Sequence, residues 1–117
     1  MKLRISIGGF MGSSYRVEWD GTSLVYTTFS RGYEPDGEPE AIQPTEAQWK
    51  RFWKFLDECK EWNERYEDPD VCDGTSWLIE AAKDDFRLHS SGSNAFPEGF
   101  EGLLKEVRRL IGGRKFA

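Results

Sequence analysis

Between Tyr15 and Tyr26 large apolar residues alternate with polar ones on both sides of an Asp20-Gly21 dipeptide, and no other feature limits the fold as much. Asp-Gly between alternating runs is a strong local signal for a two-residue β-hairpin. Closing the chain there pairs Trp19 with Thr22, Val17 with Leu24 and Tyr15 with Tyr26, so the apolar members of both strands share a face. Side chains alternate with a period of two, so a one-residue slip would turn half of that set to water. One face of the hairpin must be buried.

The rest of the chain supplies more strands and two covers for that face. Leu3, Ile5 and Ile7 alternate with Lys2, Arg4 and Ser6 as a half-buried strand, broken by Gly8-Gly9-Phe10-Met11-Gly12-Ser13-Ser14. Residues 30–44 hold Gly32, Pro35, Gly37, Pro39 and Pro44 among acids, which predicts a long loop. Thr45 with Gln48 has the form of a capping box, and Trp49, Phe52, Trp53, Leu56, Cys59 and Trp62 then recur at helical spacing. After Asp73-Gly74-Thr75-Ser76 a second alternating run begins. A turn at Asp84-Asp85 pairs Lys83 with Phe86, Ala81 with Leu88 and Ile79 with Ser90, beside Trp77, and sets Glu80 against His89 on the other face. A last helix is expected from about Pro97 through Phe100, Leu103, Leu104, Val107, Leu110 and Ile111, stopped by Gly112-Gly113. The expected architecture is a single α+β domain over residues 1–117: an antiparallel sheet of about five strands with two amphipathic helices on one face, in the order βββαββα.

Charge narrows the partners. Sixteen Lys and Arg against twenty-one Asp and Glu give a net charge of −5, which disfavours nucleic acid and anionic membrane and would attract a basic protein. Lys105, Arg108, Arg109, Arg114 and Lys115 crowd the C-terminus, where a helix dipole favours cations, whereas Glu34, Asp36, Glu38 and Glu40 crowd one loop. Aromatics make up 15% of residues, enough to leave some for a recognition surface beyond the core. No stretch approaches bilayer length or resembles a secretory signal, so a cytoplasmic location is expected, with Cys59 and Cys72 as free thiols. Twelve residues separate the two cysteines, which would permit a bridge in an exported chain. Two cysteines and one histidine make a poor zinc set, and no cofactor fingerprint is present.

Candidate chemistry gathers before the last helix. Ser90-Ser91-Gly92-Ser93-Asn94 places hydroxyl and amide groups where free backbone N–H groups could receive an anion, although such residues also satisfy a helix's own orphan donors. A thiol mechanism would need Cys72 or Cys59 beside His89, with Asp73, Asn94 or Glu80 orienting the imidazole. The hairpin register instead sends His89 to the polar face and Cys59 to the helix core stripe. Asp68, Asp70 and Asp73 lack the spacing of an EF-hand and read as a solvated turn. Gly8-Gly9 and Gly12-Ser13 lack the lysine and helix of a P-loop, while Phe10 and Met11 at that tip would either anchor a partner or cover the core.

The strings Asp73-Gly74-Thr75-Ser76-Trp77 and Ser91-Gly92-Ser93-Asn94-Ala95-Phe96-Pro97 resemble those of a group of small, uncharacterised bacterial α+β proteins. The likeness covers the second hairpin and last helix well and the first helix loosely. It implies that the segment before the last helix lies by the Asp73-Gly74 turn, and it brings no activity with it. The function expected is therefore a non-enzymatic binding or protein-interaction module, with a basic protein as the possible partner. The alternative is a small-ligand-binding protein or enzyme using Asp73, His89, Ser91, Ser93 and Asn94 at the N-terminus of the last helix.

Overall fold

In the computed structural model, which describes residues 1–9, 12–30, 34–68 and 74–117, the N-terminal alternation forms the middle of the sheet. The elements in chain order are β1 (Lys2–Gly9), β2 (Ser14–Trp19), β3 (Leu24–Phe29), β4 (Glu40–Ile42), α1 (Glu46–Glu58), β5 (Arg65–Glu67), β6 (Thr75–Lys83), β7 (Phe86–Ser93) and α2 (Phe100–Leu110). Strands lie in the order β4-β3-β2-β1-β6-β7-β5, and every pair is antiparallel except β5 with β7.

The α+β class and, among the described residues, the two helices match expectation, but the sheet there has seven strands rather than five, is mixed, and follows a different order. Both additions are three-residue edge strands. Strands that short show no period, and their neighbours decide their conformation. Glu40–Ile42 lies within the expected loop, yet Ile42 pairs with Leu24 and is buried. Arg65–Glu67 runs parallel to β7, anchored where the Ser90 hydroxyl donates to the Asn63 carbonyl at 2.6 Å.

The second hairpin has the expected register, including Glu80 opposite His89. The first is offset by two: Trp19 pairs with Leu24, Val17 with Tyr26 and Tyr15 with Thr28. The cause is Asp20, whose carboxylate accepts from the N–H groups of Thr22 and Ser23 at 2.8 and 2.7 Å and so stabilises a longer connection. An offset of two preserves side-chain parity, so the same faces are buried against different partners.

Those hydrogen bonds, from Ser23 foremost and then Thr22, hold the Asp20 carboxyl below its ordinary value. A carboxyl depressed in the folded state stabilises the fold above its unfolded pKa of about 3.9, and that contribution fades as pH falls through the folded pKa. Asp20→Asn should thus lower stability at pH 7, with the gap to wild type closing below about pH 4. Urea titrations at several pH values would measure it, and a gap that widened in acid would be the wrong sign.

Helix α1 opens on the capping box: Gln48 N–H donates to Thr45 Oγ1 at 3.1 Å and Thr45 N–H to Gln48 Oε1 at 2.7 Å. It ends before Trp62, which still reaches the core, 6.2 Å from Trp77. Helix α2 begins at Phe100, later than expected, because Pro97 starts a separate turn closed by Phe100 N–H to Pro97 O at 3.2 Å. Both helices cover the sheet face that carries Leu3, Ile5, Val17 and Ile79, with Phe52, Leu56, Leu103 and Val107 opposite. Trp19, Trp49, Phe52, Trp53 and Phe86 form an edge-to-face ladder with centroid steps of 5.7, 6.3, 6.1 and 5.9 Å, tying β2 and β7 to α1.

Candidate functional site

The other face of the sheet carries neither helix, and its side chains fall into cross-strand rows. Ser14, Gly8, Ser76 and Ser93 are directly paired across β2, β1, β6 and β7. The next row is Arg16, Ser6, Leu78 and Ser91, and the one beyond is Glu18, Arg4, Glu80 and His89. The third row alternates in charge and its charges are paired: Arg4 lies 3.6 Å from Glu18 within the row, while from outside it Lys2 reaches Glu80 at 3.2 Å and Glu64 lies 3.8 Å from His89. The first row is neutral and small.

That small row forms the floor of a groove of about 620 Å³. Gly8 deepens it, because a Cβ there would fall on the Ser14 hydroxyl. Its charged lining consists of Arg4 and Arg16, with no carboxylate among the described lining residues. The Arg16 guanidinium lies 5.4 Å from the centre of the Phe29 ring. Towards β3 the face closes, since Thr27 is buried there. A second hollow of about 500 Å³ opens on the helix side of the same strand ends, walled by Ile7, Tyr15, Phe96, Phe100 and Leu104, with Glu101 as its charged residue.

The expected site residues separate. Ser93 and Asn94 line the groove; Ser91 sits one row away, paired with Leu78 and with Arg65 of β5. His89 is four positions along β7 from Ser93, roughly 13 Å. Asp73 lies outside the described residues, as do Cys72, Asp70, Phe10 and Met11. None of the serines caps α2: Ser91 and Ser93 belong to β7, and Gly99, at φ 89°, occupies the N-cap without a side-chain bond. The seam implied by the resemblance is present at Gly74. Asn94 N–H donates to Thr75 O at 2.9 Å, and a Cβ on Gly74 would land on the Asn94 amide.

Sequence reasoning missed Arg4, Ser6, Gly8, Ser14 and Arg16. Arg4, Ser6 and Arg16 were visible as polar positions of two alternating strands, whereas Gly8 and Ser14 fell in the break between them, and the neighbours of all five across β6 were not visible. No family model, curated protein or solved structure matches the chain. Among the described residues, no helix is long and apolar enough to cross a membrane, and no group of three metal-ligating side chains occurs.

The described lining of the groove carries serine hydroxyls, the Asn94 amide and two guanidinium groups, all of them hydrogen-bonding groups. Thiol chemistry has no support from Cys59: it is buried, and that burial, with a smaller contribution from Glu58, pushes its thiol up to about 12. In a Cys72→Ser background, iodoacetamide at pH 8 should leave the native protein unmodified and label Cys59 only after denaturation. Labelling of the native state at the denatured rate would show that the thiol is open.

Proposed function

We propose that the protein is a non-enzymatic binding module of the cytoplasm whose recognition surface is the helix-free face of its sheet. One observation carries this reading: the larger of the two hollows lies on a sheet face that neither helix covers, floored by small hydrogen-bonding side chains. Sites of this kind, a concavity with a few convergent polar groups, are where small molecules or protruding side chains of a partner are held. The helix side is less suited to a polar ligand, because its hollow is walled by apolar groups and Glu101 would repel an anion at the α2 N-terminus.

A basic protein partner is the second reading, favoured by the net charge of −5. The acidic loop contributes less to it than its composition suggests. Asp36 accepts from Ser30 N–H at 2.7 Å, and Glu40 is clasped by Arg114 at 2.7 and 2.8 Å, which leaves Glu34 and Glu38 exposed for a partner.

Ser76 is exposed on β6, so Ser76→Trp would fill the groove from a position that tolerates an aromatic residue. Lys50→Trp, on the exposed side of α1, is the matching control. Wild type and both variants would be immobilised, exposed to cell extract and washed, and the retained proteins and small molecules compared by mass spectrometry. Retention by wild type and Lys50→Trp with loss on Ser76→Trp is expected. Equal retention by Ser76→Trp, or none by wild type, would count against the proposal.

A further inference from the structure

We infer that the groove takes an anionic head group, a phosphate or carboxylate, carried on a small hydroxylated molecule, with Arg16 as the cation that holds it. This rests on the helix-free face being the recognition surface and adds the chemistry of the ligand. The protein is acidic, at −5, yet among the described residues the charged side chains lining this groove are both arginines. A concavity with one sign of charge concentrates ions of the other.

The two arginines are not equivalent. Arg4 has Glu18 at 3.6 Å and Glu80 directly across from it on β6. Arg16 is flanked in register by Ser6 and Thr27, and no carboxylate lies within ion-pair distance of it among the described residues. Its guanidinium rests against Phe29, which restricts the side chain before any ligand arrives. A planar fork of N–H donors held this way matches the paired oxygens of a carboxylate or phosphate.

The remainder of the groove specifies the rest of the molecule. From Arg16 on β2 to Ser93 on β7 is three strand spacings, roughly 14 Å, too far for a bare inorganic ion to bridge. Along that path stand Ser6, Ser14, Ser76 and Ser93, whose hydroxyls can both donate and accept. A body bearing several hydroxyls satisfies them; an apolar body would strand them. A polyanion is disfavoured, because the third row already contains Glu18 and Glu80 and the whole chain is negative.

The test is a titration of ¹⁵N-labelled protein with inorganic phosphate, glucose 6-phosphate, gluconate and glucose, followed by amide shifts. Glucose 6-phosphate or gluconate should shift Ser6, Gly8, Ser14 and Ser76 at lower concentration than inorganic phosphate, and glucose should not; comparing the first two distinguishes a phosphate head from a carboxylate. Arg16→Gln should weaken binding at least tenfold and Arg16→Lys less. Arg87→Gln should leave it unchanged, since that guanidinium is engaged by the carbonyls of Asp84 and Phe86. Spectra of each free variant verify that the fold persists. Binding that survives Arg16→Gln, or shifts that fall outside the groove, would overturn the inference. If no probe binds while Ser76→Trp still abolishes retention from extract, the anion assignment fails and the recognition surface stands. If retention also survives Ser76→Trp, both fail.

Discussion

Trp77→Ala is expected to destabilise the protein by about 3–5 kcal/mol, the range for removing a buried Trp or Phe side chain. Trp77 occupies the middle of the fold, paired with Ile7 on one side and Gly92 on the other. Its ring lies 4.7 Å from Phe100, 5.9 Å from Tyr66 and 6.2 Å from Trp62, so one side chain joins α2, β5 and the segment after α1. Its Nε1–H donates to the Ala95 carbonyl at 2.9 Å. Alanine would leave a cavity and an unpaired carbonyl. Trp77→Phe separates the two effects, because it keeps most of the ring and loses the bond, at about 1–2 kcal/mol. Gly92 is small for the same reason: a Cβ there would meet the indole nitrogen and the Ala95 carbonyl. Urea denaturation measures all of this, and a loss below about 1 kcal/mol for Trp77→Ala would mean that the indole is not a core anchor.

Phe116→Ala should cost a similar amount, about 3–5 kcal/mol, although the residue lies beyond the last helix. Its side chain is fully buried, 6.0 Å from the Tyr15 ring. Several bonds hold the segment in place: Arg108 Nη1 donates to Phe116 O at 3.1 Å, Tyr26 Oη to Lys115 O at 2.6 Å, and Arg114 clasps Glu40. The segment therefore closes the helix side of the core against β2 and β3. The exposed Arg114–Glu40 pair adds little by comparison, since water and salt screen it. Glu40→Gln should be nearly neutral where Phe116→Ala is severe. The reverse order in a denaturant series would mean that charge, not burial, holds the segment.

How much of this was legible follows from the range of each interaction. The second hairpin was readable to the residue pair, because the turn at Asp84-Asp85 and the alternation around it agree. The first was readable in its faces but not its partners, since Asp20 captured two backbone N–H groups and lengthened the connection. Thr45 and Gln48 announced α1 because a capping box is local. Strands β4 and β5 were hidden because three residues have no period. The groove was half legible. Ser93 and Asn94 stood out as small polar residues beside a helix, but the pairing of β1 with β6, which sets Gly8 beside Ser76, depends on segments far apart in the chain.

The helix-free face is tested most directly by where bound material perturbs the protein. ¹⁵N-labelled wild type would be observed in clarified cell extract and in buffer of matched salt and pH. The expected result is a connected set of shifts at Ser6, Gly8, Ser14, Arg16 and Ser76 that Ser76→Trp suppresses, with the exposed sides of α1 and α2 unchanged. Shifts confined to the two helices, with those five amides unmoved, would contradict it.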